Sequence, residues 1–174
     1  MPTLIRDRAV AEDRFALARD ARTLDDVPAG EVIVPLALWL ARRAALIARG
    51  DAGVLLAPAD DPAAIADDVA RLPVIAIDFP AFTDGRGLSI ARLLRERYRY
   101  RGELRAVGDV QRDQLFALTQ CGFDAFLLKE GRDPVEALAS FADFDSVYAP
   151  TTRAPQPWFR RRVAGAIDAD LADR

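Results

Sequence analysis

The charged residues best placed to do chemistry lie in the stretch DFPAFTDGRGLS, which runs from Asp78 to Ser89. It joins an apolar run to an amphipathic segment and sets an arginine between two glycines. Backbone amides at the start of a helix bind anions, and an arginine can hold an oxyanion through two parallel hydrogen bonds. The stretch therefore predicts an anion-binding loop. The predicted anion-binding residues are Asp84, Gly85, Arg86, Gly87, Ser89 and, from the next loop of this kind, Arg112.

Loop geometry alone offers a second interpretation of the same residues. Thr83 or Asp84 can cap the helix that follows, and Gly85 can relieve a strained backbone conformation. The segment from 79 to 88 is nevertheless longer than the other connections, and long loops in compact folds often have a function. The chain contains neither a GxGxxG fingerprint nor a Walker loop, so the sequence does not indicate NAD or ATP binding.

Two carboxylates, those of Asp78 and Asp109, stand at the ends of consecutive apolar runs. In parallel α/β folds the ends of neighbouring strands meet, so we expect these carboxylates to be neighbours. They could bind a divalent cation, or transfer a proton if burial raised the pKa of one of them. We take them as the candidate catalytic pair and predict no metal site. The alternative for Asp109 is a helix N-cap, with Arg112 pairing to Asp109 or Asp113.

An alternation of apolar runs and amphipathic segments must position these side chains. The predicted strands cover residues 53–57, 73–79, 103–110 and 124–130, with 31–34 as a further candidate. The predicted helices cover residues 35–50, 60–72, 89–98, 111–122 and 133–144; in the first, the spacing places Leu36, Leu40, Ala44 and Ile47 on one face.

Repeated βα units of this kind predict a single α/β domain with a parallel sheet and right-handed crossovers. A complete eight-fold barrel would need about 250 residues. Since the chain has 174 residues, we expect an incomplete (β/α) barrel or, alternatively, an open doubly wound sheet.

The chain divides into a lead-in, a core and a tail. Residues 1–30 are expected to be irregular or short-helical, residues 31–148 form the predicted α/β core domain, and residues 149–174 form a Pro-rich linker and tail. Within the tail, the stretch PWFRRR combines an aromatic pair with three arginines, which suits docking on an acidic partner. The predicted partner-binding residues are Trp158, Phe159 and Arg160. The alternative is that the tail packs back on its own domain.

Composition removes several classes of function. The chain has no histidine, which excludes imidazole general-base catalysis and a Ser–His triad, and its single cysteine excludes an internal disulfide. A net charge of −3 and a pI near 5.1 argue against sequence-independent binding of nucleic acid. Apolar runs such as VIVPLALWLA are too short to span a bilayer, and no signal-peptide layout is present. We therefore expect a cytoplasmic protein with no membrane partner.

The long run DFPAFTDGRGLSIARLLRERYRYRGELRAVGDVQRDQLFALTQCGFDAF, together with VIVPLALWL and GVLLAPADDP, resembles a bacterial family of domains of unknown function. That family is described as a probable oxidoreductase involved in sulfite reduction, because its genes lie near those of sulfite reductase. The resemblance covers about residues 31–148. It implies a protein of assimilatory sulfite or sulfate reduction, either an oxidoreductase or an accessory factor whose partner is the sulfite reductase haemoprotein.

Three hypotheses about function follow from these residues. The first is the accessory or electron-delivering protein of sulfite reduction. The second is a small enzyme of unrelated metabolism that holds an anionic substrate or a flavin phosphate in the 79–88 loop. The third is a scaffolding protein built on a degenerate barrel. The sequence identifies neither a cofactor nor the oligomeric state.

Overall fold

The described residues of the computed structural model, 3–129, 131–142, 149–152, 154, 156–157 and 160, form one eight-stranded sheet with four α-helices. The strands are β1 Thr3–Arg6, β2 Ala9–Glu12, β3 Ala16–Leu17, β4 Val32–Pro35, β5 Ala52–Leu56, β6 Val74–Phe79, β7 Glu103–Gly108 and β8 Ala125–Leu127. The helices are α1 Leu36–Arg49, α2 Arg86–Glu96, α3 Leu115–Gln120 and α4 Pro134–Leu138. The strand order is β2-β1-β8-β7-β6-β5-β4-β3, so β3 to β8 lie side by side in chain order.

The parallel strands are buried on both faces, as their near-continuous apolar sequences require. Alternate residues such as Val54, Ile75 and Ile77 pack against the helices in the main core. The residues between them, among which are Leu55 and Ala76, form a second cluster on the inner face of the sheet. The helices therefore cover the outer face of the sheet and leave its inner face to side chains from the sheet and from the segment between β2 and β3.

The sheet curls into a half-barrel. The short connection between its two edge strands requires this curvature. The edge strands are β2 and β3, and only residues 13–15 join them. Eight strands laid flat would separate the two edges by roughly 34 Å. The chain from Glu12 to Ala16 spans at most about 14 Å. The two edges must therefore approach each other, and residues 13–15 cross the open side of the barrel.

The predicted α/β class and the barrel-like architecture are confirmed, whereas the open doubly wound alternative is wrong. The prediction of a purely parallel sheet is also wrong, since β1 pairs antiparallel with both β2 and β8. The candidate strand at 31–34 is present as β4 and pairs with β3 and β5. The residues expected to be an irregular or short-helical lead-in instead supply three strands to the sheet.

The β1–β2 hairpin escaped prediction because its turn lacks the usual signal. Arg6 pairs with Ala9, so the loop consists of Asp7 and Arg8 alone. Both residues have positive φ, 49° and 64°, as a two-residue hairpin of this type requires. Such loops ordinarily contain Asn-Gly or Asp-Gly, so an Asp-Arg pair does not predict a hairpin turn.

The predicted helix over 60–72 is wrong as an α-helix, although Asp61 caps its first turn by accepting from the Ala63 backbone N–H. The segment forms two short 3-10 turns, Pro62–Ile65 and Val69–Arg71. Between them lies Asp68, which is fully buried and accepts hydrogen bonds from Trp39 Nε1 at 2.9 Å and from the guanidinium of Arg43. Because a buried carboxylate must keep such partners, these tertiary contacts outweigh the local helical pattern.

The first helix has the predicted extent, and Gly50 ends it in a left-handed conformation. Its buried face differs from the predicted one, since Leu40 is 46% exposed whereas Leu38 and Trp39 are buried. Trp39 faces the core, where its Nε1 donates a hydrogen bond to the buried Asp68. The backbone angles depart from helical values only after these residues, at Arg42. No helix within the described residues is long and apolar enough to cross a membrane.

Four charged residues form a network inside the barrel, which we call the inner network: Arg6, Asp13, Glu103 and Arg105. Arg105 is 1% exposed and donates to Asp13 at 2.8 Å and to Glu103 at 2.7 Å. Glu103 also accepts from Arg6 at 2.7 Å, and the Arg105 guanidinium lies 5.6 Å from the centre of the Phe15 ring. The network therefore fastens the segment that crosses the barrel, and strand β1, to the start of β7.

Candidate functional site

The parallel strands end together at one end of the half-barrel, which we call the carboxyl end. Asp109, directly after β7, is the centre of the contacts there. Its Oδ1 accepts from Lys129 Nζ at 2.9 Å, and its Oδ2 accepts from the backbone N–H of Phe82 at 3.2 Å. One carboxylate thus joins the connections that follow β6, β7 and β8.

The loop after β6 is fixed at its tip. The backbone N–H of Phe82 donates to Asp109, and its carbonyl accepts from Gln114 Nε2 at 3.1 Å. The side chain of Phe82 is nevertheless 41% exposed. A large aromatic ring is therefore held at the surface by a backbone that is anchored on both sides.

Asp78 lies on the inner face of β6, beside the carboxyl end. Its Oδ2 pairs with Arg19 Nη1 at 2.6 Å, while its Oδ1 is buried without a hydrogen-bond partner. Gly108, with φ of 98°, is needed beside it: a Cβ there would lie 2.4 Å from the Phe79 carbonyl oxygen and 2.7 Å from Asp78 Oδ1. The predicted catalytic carboxylates thus lie at the same end of the sheet, each paired with a different cation.

Arg86 and Asp84 bind each other through a forked contact. Arg86 Nε and Nη2 donate to the two oxygens of Asp84 at 3.0 and 2.7 Å, and the Arg86 backbone N–H adds a bond at 3.2 Å. The hydrogen bond from Arg86 holds the pKa of Asp84 below its ordinary value. Arg86 remains 62% exposed. An incoming oxyanion would have to take the place of Asp84 on the guanidinium.

The two glycines around Arg86 have different local roles. Gly85 has an ordinary φ of −82°, and a Cβ there would meet nothing closer than 3.9 Å. Gly87 is buried, and a Cβ there would lie 2.7 Å from Phe79 Cζ and 2.9 Å from Ile77 Cγ2. Gly87 therefore allows α2 to pack closely on β6, which is a structural reason for its presence. Ser89, one helical turn after Gly85, is exposed.

The alternative interpretation of Asp109 as a helix N-cap is wrong. Gln111 and Gln114 form the capping box of the turn that leads into α3, which leaves the Asp109 carboxylate free for Lys129 and Phe82. Arg112 pairs with Glu136 at 3.2 Å rather than with Asp109 or Asp113. The alternative interpretation, in which Arg112 pairs with Asp109 or Asp113, is therefore also wrong.

The electrostatics of the carboxyl end favour ionised, paired side chains. The hydrogen bond from Lys129 holds the pKa of Asp109 below its ordinary value, so this carboxylate is charged near neutral pH. The pairs Arg19–Asp78, Arg86–Asp84 and Lys129–Asp109 each join one cation to one acid. Such an arrangement suits binding by exchange of partners better than proton transfer at Asp109.

Arg19 is one residue of this region that the sequence analysis missed. It follows β3, whose two residues give no periodic signal, and it lies in the segment expected to be a lead-in. Its position directly after the short apolar run at residues 15–18 is the single clue, and that clue has meaning only once β3 is known to be a strand.

The chain's thiol lies away from the carboxyl end. Cys121 follows α3, and burial raises the pKa of its thiol, so the thiolate is disfavoured. Among the described residues, no group of three His, Cys, Asp or Glu side chains is placed to hold a metal ion. Trp158 and Phe159 of the predicted partner-binding set lie outside the described residues, whereas Arg160 is described and exposed.

Comparison with known proteins places this chain in a family. A family model described as "Bacterial protein of unknown function (DUF934)" matches residues 53–159, which include Asp78, Asp109 and Lys129 but not Arg19. No curated protein and no solved structure matches the chain. Because the match covers more than half of the sequence, the chain belongs to this bacterial family of proteins of unknown function.

Proposed function

We propose that the protein is a cytoplasmic accessory factor of assimilatory sulfite reduction that binds the sulfite reductase haemoprotein through its carboxyl end. The proposal rests on the sequence resemblance described above and on one structural observation: Asp109 joins three loops into a fixed surface that presents Phe82. The surface consists of Phe82, Asp84, Arg86, Asp109 and Lys129, and we call it the carboxyl-end surface.

The chemistry of this surface is that of a docking site. Interfaces commonly place an exposed aromatic residue at the centre and charged residues around it. Here Phe82 is 41% exposed, Arg86 62% and Lys129 54%. Because the Phe82 backbone is anchored by Asp109 and Gln114, binding would cost little ordering of this loop.

The side chains of the chain itself favour an accessory role over an autonomous redox enzyme. The sequence has no histidine and one cysteine, and burial raises the pKa of that cysteine. A role in electron transfer would therefore depend on a bound cofactor or on the partner protein. An accessory factor needs only a surface that the partner recognises.

Co-purification tests the proposal directly. The tagged full-length chain, purified from cells grown on sulfate, should bring sulfite reductase with it, and a deletion strain should grow poorly on sulfate but normally on cysteine. Phe82→Ala should lose the association. Leu93→Ala, which truncates a residue on α2 with the same 41% exposure, should keep it. If wild type shows no association and deletion leaves growth on sulfate unchanged, the proposal is wrong.

A second candidate is a small enzyme that binds an anionic substrate or a flavin phosphate at Arg86. The observation that favours it is the Arg86–Asp84 fork, in which the Arg86 side chain is 62% exposed, so that an incoming anion can reach the guanidinium from solvent. A melt with flavins, sulfite and phosphosulfates would raise the melting temperature of wild type but not of Arg86→Ala. A colourless protein whose melting temperature none of these ligands changes would remove this candidate.

A further inference from the structure

A cleft lies at the opposite end of the half-barrel, where the parallel strands begin and which we call the amino end. It encloses about 520 Å³ between the end of α2, the start of β8 and the segment 149–152. The residues that line it are Arg95, Glu96, Arg99, Arg101, Gly122, Asp124, Thr151 and Thr152. A volume of this order is that of a small-molecule site.

The cleft carries an excess of positive charge. Asp124 is paired with Arg95 at 2.6 Å, and Glu96 is paired with Arg92 of the preceding turn at 3.2 Å. Within the described part of the chain, no acidic side chain pairs with Arg99 or Arg101. Both acids of the cleft are thus neutralised, and two arginines remain to attract an anion, although the whole chain has a net charge of −3.

The walls of the cleft are fixed before any ligand arrives. Arg95 donates to the carbonyl oxygens of Gly122, Tyr100 and Gly102 as well as to Asp124. On the other side, the backbone N–H and the hydroxyl of Thr152 both donate to the carbonyl oxygen of Gln120. A site with walls held in this way loses little entropy on binding.

Arg99 occupies an unusual backbone conformation at this cleft. Its φ is 56°, in the left-handed region that glycine adopts readily and other residues adopt at a cost. Residues held in such conformations are concentrated at binding sites and active sites. The chain therefore carries an arginine where its backbone favours glycine, which agrees with a use for the guanidinium.

We infer that the cleft at the amino end binds an anionic phosphate or sulfate group, held between Arg99 and Arg101. Arginine guanidinium groups match the geometry of tetrahedral oxyanions and bind them through paired hydrogen bonds. The volume of the cleft exceeds what a bare oxyanion needs, so it also accommodates the rest of a small ester. This site is separate from the carboxyl-end surface, and neither depends on the other.

Titration calorimetry on the full-length protein tests the inference, with inorganic phosphate and inorganic sulfate as probes at low ionic strength. Wild type should bind one of them saturably. Arg99→Gly and Arg101→Gln should each weaken binding about tenfold, the loss expected for one charge-assisted contact. Competition by AMP would identify an ester as the ligand, whereas binding of the free ions without competition would identify the ion itself.

The variants contain their own controls. Arg99→Gly suits the backbone at φ 56°, so it should not lower the melting temperature, and lost binding would not reflect unfolding. Arg97→Gln removes the same charge from a neighbouring exposed residue outside the cleft and should bind as wild type does. No saturable binding, or equal weakening by Arg97→Gln, would overturn the inference. Normal phosphate binding by the Arg99→Gly/Arg101→Gln double variant would do the same.

Discussion

The two ends of the half-barrel use arginine and lysine in different ways. Towards the amino end, Arg95 and Arg105 are 15% and 1% exposed, and each donates to several partners at once. At the carboxyl end, Arg86 and Lys129 are more than half exposed, and each meets a single carboxylate. Buried charges are costly to leave without partners, whereas exposed pairs contribute little to stability.

This difference separates the parts of the molecule that hold the fold from the parts that are free to bind. Removing Arg95 or Arg105 should cost folding free energy, whereas Arg99 and Arg101 at the same end have no acidic partner among the described residues. At the carboxyl end, Arg86 and Lys129 are exposed and can exchange their partners at little cost. In (β/α) barrels, functional residues lie at the carboxyl ends of the strands, and residues at the amino ends contribute mainly to stability. The ion pairs of this protein follow the same rule, since the buried pairs of Arg95 and Arg105 lie towards the amino end and the exposed pairs of Arg86 and Lys129 lie at the carboxyl end.

The largest loss of stability should follow from Arg105→Met. The substitution leaves the Asp13 carboxylate, 3% exposed, without its cation inside the barrel. Breaking a buried pair in this way costs about 3–5 kcal/mol, which urea unfolding would measure. Arg105→Met/Asp13→Asn removes the stranded charge and should recover much of the loss. If the single variant is as stable as wild type, the inner network does not hold the barrel closed.

A smaller loss is expected from Arg95→Lys. Lysine keeps the charge but lacks the planar fork that reaches Gly122, Tyr100 and Asp124 together, so unfolding should become easier by about 2 kcal/mol. Arg92→Lys, in the same helix, touches only the exposed pair with Glu96 and should change stability by less than about 0.5 kcal/mol. Equal effects of the two variants in a denaturant titration would contradict the comparison between the ends.

The elements that could be predicted from sequence are those whose signal is local. Helix α1 and its end at Gly50 follow from apolar spacing and a glycine, and the βα rhythm suffices to place Asp78 and Asp109 at one end of the sheet. The hairpin at Asp7-Arg8 was not predictable, because Arg8 stands at the position where such a turn ordinarily has glycine. Nor were the two 3-10 turns around Asp68, whose conformation depends on the distant Trp39 and Arg43.

In the candidate site, too, features with a local sequence signal could be predicted, whereas contacts between distant segments could not. The position of Asp109 followed from the strand rule, but its partners did not, because Lys129 and Phe82 reach it from other loops. Arg86 was expected to face an anion, and the structure adds that its present anion is Asp84. Charge pairs between segments far apart in sequence leave no local pattern, so they are found only when the fold is known.

Gly87 is an exception to the contrast between the ends, because it lies at the carboxyl end but its replacement should destabilise the fold. Gly87→Ala places a Cβ 2.7 Å from Phe79 Cζ, and moving α2 away from β6 should cost about 1–2 kcal/mol. Gly85→Ala, two residues earlier, meets nothing within 3.8 Å and has an ordinary φ, so it should be neutral or slightly stabilising. Thermal melts of the two variants side by side give the measurement. Equal destabilisation would mean that Gly85, too, is there for packing.

The smallest expected effect is the stability difference between wild type and Asp109→Asn, measured as a function of pH. It is also the most direct test of the ion pairs at the carboxyl end. The hydrogen bond from Lys129 lowers the pKa of Asp109 in the folded chain below its ordinary value of 3.8. The folded state therefore binds fewer protons than the unfolded state, so this carboxylate contributes stability above pH 3.8 and loses the contribution as the pH falls through the folded pKa.

Melting temperatures measured from pH 7 down to pH 3 should thus show a small advantage of wild type over Asp109→Asn that shrinks as the pH falls. Lys129→Gln should abolish most of the advantage, because it removes the principal cause of the lowered pKa. The advantage should also be far smaller than the loss in Arg95→Lys, since Asp109 and Lys129 face solvent. An effect of comparable size would show that the Asp109–Lys129 contact holds the fold, and the carboxyl end would then not be free to exchange its partners for a ligand or another protein.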